Sequence, residues 1–364
     1  MGAVGCQKET SNFGIETIRS THEIPVNIHA SLADSQGPTK AIVRGTDIPD
    51  HFSYGLFVCA EGKTNEAHKK NSWNLKSSYT EGLESEAGSW SFQYVDNFDS
   101  GALSANTYDH ITITSRDDNA TADLYAYAPH IEGKINPKAI PFEIAPEIRN
   151  QVDLMYAEEN DDPTANKGLD PLRTDVDALE ANFTFKHALA LLAFEFEIKN
   201  HSNQYSTNYR LQSITIQKKD PQANTTAQIY QSGTFNAITG NINYDDCNKV
   251  DKLVVSQIVG SDPALIIPNG TSDPDYTAYV ALVPTQIEDN ELEVTIVLNK
   301  QNKMTVKPFV LKKQFVKHLV GEEEYGFQGG YIYTFRFTMD NYLYLTDFNI
   351  KQWDDTITHI SSII

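Results

Sequence analysis

Ala3-Val4-Gly5-Cys6 sets three small residues directly before a cysteine, the arrangement that a lipoprotein signal peptidase needs if it is to leave that cysteine as a diacylated N-terminus. The position three before the cysteine, usually leucine, is Ala3, and no apolar h-region precedes it, so this reading expects a trimmed leader or a late start codon. The other two cysteines are Cys59 and Cys247. A disulfide between them would leave Cys6 over, and a free thiol at an exposed terminus is a liability unless it is covalently occupied. Cys59, beside Leu56, Phe57 and Val58, reads as a small buried hydrophobe. It is expected in a different domain from Cys247 and unpaired with it. The residues alone leave two readings of Cys6 open: a lipid attachment site, or a tail cysteine of no consequence.

Other chemistry is sparse. The chain holds no G-x-S-x-G elbow, no H-E-x-x-H, no phosphate-binding G-x-x-x-x-G-K-[ST] and no C-x-x-C. None of the ten histidines lies three or four residues from another, as a local zinc site often requires. His187 is in phase with an apolar face and is expected to be a core histidine bonded to a backbone carbonyl. Asp162 to Gly168 has the outline of a calcium loop, but its glycine falls one position late and no glutamate occupies the twelfth position, so it reads as solvated linker. No catalytic residue, metal or cofactor is expected. Lys300, Lys303, Lys307, Lys312, Lys313 and Lys317 form a basic cluster, read as edge-strand protection in preference to a partner-binding patch. The N-x-[ST] triplets at Asn119, Asn182, Asn200, Asn224 and Asn269 carry no weight.

Whatever the termini do must be supported by packing. The 29 Lys and Arg against 49 Asp and Glu leave a net charge of −20, which argues against a nucleic-acid partner or an anionic membrane surface. No run of 18 apolar residues occurs, so no membrane span is expected. Three cysteines cannot staple a fold of 364 residues, which is long enough for two domains with separate cores.

Residues 7–22 are polar and aperiodic, and 1–22 reads as a tether. From Ile24 the residues Ile24, Val26, Ile28, Ala30 and Leu32 fall on one face with Asn27, His29 and Ser31 on the other, the signature of a half-buried strand. Short strand candidates then recur along the chain, including FSYGLFVCA, ADLYAYAP, YRLQSITIQK, LEVTIVLN and GGYIYTFRFTM. The acidic, proline-bearing stretch 157–175 is the linker candidate, with domains expected at 23–165 and 166–364. In ANFTFKHALALLAFEFEIKN the apolar phase slips by one between Leu191 and Leu192; a bulge or one helical turn is expected there. The chain is expected to be all-β in two parts.

The order of DLYAYAP, VDLMYAEEND, ANFTFKHALALLAFEFEIKN, LQSITIQ, YQSGTFNAITG, GGYIYTFRFT and a closing NIKQW resembles the fimbrillin family, the type V pilins and fimbrillin-like lipoproteins of Gram-negative gut and oral anaerobes. Its most specific element is F-x-H-A-L-x-x-L, at Phe185, His187, Ala188, Leu189 and Leu192. The resemblance covers roughly residues 24 to 353. It implies two tandem transthyretin-like Greek-key β-sandwich domains, lipidation at Cys6 and display at the outer membrane as a fimbrial subunit or adhesin. It further implies proteolytic release of the first strand, Ile24, Val26, Ile28, Ala30 and Leu32 included, and exchange of strands between subunits. The family's cleaved arginine is matched here by Lys40, with Arg44 four residues on. Implied partners are other fimbrial subunits and host or bacterial surface ligands; the membrane is reached only through the lipid. The alternative function is a surface lipoprotein that binds a glycan or host protein through its loops and does not polymerise.

Overall fold

A computed structural model of the chain describes residues 22–32, 53–61, 74–80, 89–96, 104–108, 111–115, 121–133, 135–157, 179–198, 209–223, 225–256, 266–267, 277–300, 303–318, 325–339 and 343–353. Among them every regular element is a strand except three single turns of 3₁₀ helix, in keeping with segments rich in Val, Ile, Thr, Tyr and Phe. The first ten strands are β1 His22–Leu32, β2 Ser53–Glu61, β3 Leu75–Thr80, β4 Ser89–Asp96, β5 Ser104–Tyr108, β6 Ile111–Ser115, β7 Thr121–Ala128, β8 Ile140–Glu143, β9 Met155–Ala157 and β10 Leu179–His187. All but β8 form one nine-stranded sheet in the order β5-β4-β3-β2-β7-β9-β10-β1-β6.

The remaining strands are β11 Ala190–Ile198, β12 Tyr209–Lys218, β13 Ile229–Phe235, β14 Asn248–Val250, β15 Lys252–Ser256, β16 Ile266–Ile267, β17 Thr277–Leu282, β18 Thr285–Gln286, β19 Leu292–Lys300, β20 Lys303–Val310, β21 Lys317–His318, β22 Tyr325–Phe327, β23 Tyr331–Met339 and β24 Leu343–Gln352. Two of their sheets, β17-β11-β23-β24 and β15-β12-β19-β20, carry the main core. The period-2 pattern decides which side chains go in. Leu292, Val294, Ile296 and Leu298 are buried on β19 while Glu293, Thr295 and Val297 between them are less so. Phe194, Phe335 and Phe337 line the other sheet, and Phe309 of β20 reaches across to Phe335 at 5.7 Å and Phe337 at 5.2 Å. Each such ring contributes about 1.5–3 kcal/mol by leaving water.

The stretch between β7 and β9 does not stay with the nine-stranded sheet. β8 pairs with β13, from Ile140 opposite Phe235 to Glu143 opposite Ser232, and β14 closes this three-stranded sheet on the other side of β13. Onward, Glu147 bridges to Ser256, and the side-chain oxygen of Gln151 accepts the amide of Ala281 at 2.7 Å. Residues 140–151 are thus woven into the second group of sheets before the chain returns to the first as β9 and β10. The linker candidate 157–175 lies almost wholly outside the described residues; between His187 and Ala190 the chain leaves the nine-stranded sheet and enters the sheet β17-β11-β23-β24.

That change explains the slip in phase. No bulge and no helical turn occurs there; a bend at Ala188 and Leu189 ends one strand and starts another in a different sheet. Residues 187–194 are all buried. β11 lies between β17 and β23, with Leu192, Phe194 and Phe196 in the main core and Leu191 and Ala193 in a second cluster with Ile332 and Trp353.

A polar network fixes β3 to β7. The hydroxyl of Tyr127 donates to Oδ1 of Asn74 at 2.7 Å, and Nδ2 of Asn74 donates to the carbonyls of Ile131 at 2.7 Å and Gly133 at 2.9 Å. Burial pushes the Tyr127 hydroxyl up to about 12, so it stays protonated and donates throughout the physiological range. Desolvation lowers the pKa of the adjoining His130, whose Nε2 lies 3.4 Å from the carbonyl of Asn74.

Candidate functional site

The element that sequence and resemblance single out is β1, and its surroundings are unusual. It pairs antiparallel with β6, from His22 opposite Ser115 to Val26 opposite Ile111, and parallel with β10, from Val26 opposite Leu179 to Leu32 opposite Phe185. The two ladders overlap only at Val26. One half of β1 is therefore held by β6 and the other by β10, and Pro25, which has no amide hydrogen to give, sits next to the handover. In register terms, Ile24 faces Ile113, Ile28 faces Ala181, Ala30 faces Phe183 and Leu32 faces Phe185.

Behind that register lies an aromatic floor. Phe183 and Phe185 of β10 are buried and meet Tyr54 of β2 at ring distances of 6.2 and 5.3 Å. Burial raises the hydroxyl pKa of Tyr54. A strand lying along residues 179–185 adds to a sheet whose apolar face is already built on the other side.

His187 ends β10 and is buried, as expected of a core histidine, and one of its ring nitrogens meets a carboxylate. Its Nδ1 lies 2.9 Å from Oδ1 of Asp153, itself buried, and its ring stacks on Trp353 with centroids 4.0 Å apart and planes inclined by 6°. Nδ1–H donates to the carboxylate. The sequence carried no sign of the Asp153 contact, since the two residues are 34 apart in the chain; the motif NIKQW did mark Trp353. Replacing His187 with alanine removes one buried partner of Asp153 and one face of the Trp353 stack. The expected cost is about 1–3 kcal/mol, read as a lower melting temperature in circular dichroism; an unchanged melt would exclude a supporting role for the pair.

Cys247 is a free thiol, 3.4 Å from the carbonyl of Asn243, and burial pushes its pKa up. Cys59 faces Asp123 in the β2–β7 ladder. Of the lysines, Lys303 and Lys307 lie on β20, the last strand in its sheet's order, where Lys307 and Pro308 are exposed; Lys313 pairs with Glu288. Cys6, Lys40, Arg44, the loop Asp162 to Gly168, Asn119, Asn200, Asn224 and Asn269 lie outside the described residues. Among the described residues no three His, Cys, Asp or Glu gather as a metal site would need, and no helix is long and apolar enough to cross a membrane.

A family model described as fimbrillin-like matches residues 55–353. The chain belongs to the fimbrillin-like family. No curated protein matches the sequence of this fimbrillin-like chain. Among solved structures, it is similar to a protein from Bacteroides ovatus provisionally assigned to cell adhesion, at 14% identity over 91% of this chain and 98% of that one, with a TM-score of 0.52. A protein from Bacteroides uniformis with the same provisional assignment matches at 13% identity, 93% and 100% coverage and a TM-score of 0.45. The tip fimbrial protein Mfa3 from Porphyromonas gingivalis matches at 10% identity, 91% and 100% coverage and a TM-score of 0.34. At these identities the likeness speaks to fold. Family membership makes this fimbrillin-like protein a structural protein of the fimbrillin kind rather than an enzyme.

Proposed function

We propose that this fimbrillin-like protein is a fimbrial subunit or fimbria-associated adhesion protein, anchored at the outer membrane by a lipid on Cys6 and joined to its neighbours by exchange of β1. The observation that carries the reading is the divided pairing of β1, held by β6 over one half and by β10 over the other. Each half can be released by breaking a single ladder. Ile24, Val26, Ile28 and Leu32 would together contribute roughly 6–12 kcal/mol if buried, an upper bound because unfolded chains already hide apolar surface. A groove without β1 is therefore strongly driven to accept another strand. That strand would run parallel to β10 and antiparallel to β6, since main-chain pairing sets its direction.

Processing at Lys40 or Arg44, which follow β1, would cut the strand from the domain while leaving it paired. We take the molecule as two transthyretin-like sandwich units in tandem, a reading supported by the pair of facing sheets in the second unit. Limited digestion with trypsin, N-terminal sequencing and unboiled gel electrophoresis test the assembly step. A ladder of oligomers that appears only after cleavage at Lys40 or Arg44 is expected. A clean cut there that leaves monomer under all conditions would exclude exchange by this route and favour a surface lipoprotein that does not polymerise.

A further inference from the structure

Asp153, His187 and Trp353 come from three separate parts of the chain. His187 is the last residue of β10 and pairs with Met155 of β9 in the nine-stranded sheet. Trp353 follows β24 in the second unit and is buried with Leu191, Ala193 and Ile332 against β11 and β23. Its indole N–H has no acceptor among the described residues, so stacking and apolar contact are what hold the ring. Asp153 lies in the run that leaves the second unit, two residues after Gln151 takes the Ala281 amide. Main-chain bonds follow the same route: the amide of Ala188 donates to the carbonyl of Leu154 at 2.8 Å, that of Gly330 to Leu189 at 2.9 Å, and that of Trp353 to Gly330 at 2.7 Å.

We propose that Asp153, His187 and Trp353 form a latch that couples the nine-stranded sheet to the second unit, so that the two open as one cooperative body. Two sheets that touch through ordinary apolar contact can loosen separately, because local opening follows local stability. A stacked ring fixed by a buried carboxylate has one low-energy position, and leaving it breaks contacts on both sides at once. β10 carries that constraint directly to residues 179–185, the ladder that holds β1.

The test uses the full chain. Denaturant unfolding is followed by far-ultraviolet circular dichroism and by Trp353 fluorescence in a background with Trp73 and Trp90 changed to phenylalanine, alongside hydrogen exchange of the unaltered chain. Without a latch substitution the two optical curves should coincide. His187→Ala should separate them and speed exchange at Ala188, Gly330 and Trp353, together with the β10 amides, by about 10- to 100-fold. Asp153→Asn keeps an acceptor for Nδ1–H and should retain the single transition. Coincident curves in His187→Ala with unchanged β10 exchange would overturn the latch, as would separated curves without any latch substitution. If His187→Ala does not fold, Asp153→Ala is read in the same two measurements.

Discussion

Phe335→Ala is expected to destabilise the fold by about 3–5 kcal/mol, the usual range for deleting a fully buried aromatic ring. The ring sits where four others converge: Phe194 at 5.6 Å, Phe309 at 5.7 Å, Phe315 at 5.9 Å and Phe348 at 5.2 Å. These come from β11, β20, the 3₁₀ turn Lys313–Phe315 and β24, so no single element can move in to fill the gap. The cavity therefore stays open, and its lining loses contacts outright. Phe335→Leu, which keeps most of the volume, should recover the larger part. Chemical denaturation decides it, and a loss below about 1 kcal/mol for the alanine variant would mean that the sheets collapse onto the void more easily than dense packing allows.

Gly55→Ala should be nearly as damaging, by about 2–5 kcal/mol, although it adds only a methyl group. A Cβ at Gly55 would stand 2.0 Å from Cε1 of Tyr127 and 2.7 Å from Oδ1 of Asn74. Neither can swing aside freely: Tyr127 is fully buried, and its hydroxyl is bonded to that same Asn74 oxygen. Overpacking and a broken buried hydrogen bond each cost about 1–3 kcal/mol. Gly133→Ala provides the contrast. Nothing lies within 4 Å of its added Cβ, and only its φ of +113° resists the change; the cost there should be about 1–2 kcal/mol. Melting temperatures of the two variants separate the effects, and Gly55→Ala combined with Tyr127→Ala should cost less than the sum of the single changes. Equal losses at Gly55 and Gly133 would mean that the Tyr127 ring yields.

Alternation made the strands legible. Ile24 to Leu32, Tyr209 to Lys218 and Leu292 to Lys300 show period 2 plainly, and all three are strands. What alternation cannot show is which strands share a sheet, because that depends on pairing between distant segments. The slip at Leu191 and Leu192 was visible, but a bulge and a passage between sheets leave the same mark when both faces are buried. β8 and β9, of four and three residues, are too short to display any period. The stack at His187 was half legible: its apolar phase marked burial, while Asp153 lay in a different apolar run with nothing local to join them.

The weaving of residues 140–151 into the second group of sheets also has a consequence in time. Lys138 must wait for Asn243, 105 residues later, and Gln151 for Ala281, 130 residues later. At ordinary synthesis rates of about 5–20 residues per second, the longer interval is roughly 6–26 s. β1 faces a similar delay, because its antiparallel partner β6 is made well before β10. A chain that emerges N-terminus first therefore has β1 on one ladder while the other is still unmade. When β10 arrives, its own β1 is already tethered beside it, and a strand from another molecule must outrun a partner whose effective concentration is set by the chain itself. Self-filling is thus kinetically favoured during folding, and any strand from another molecule competes against that covalent advantage.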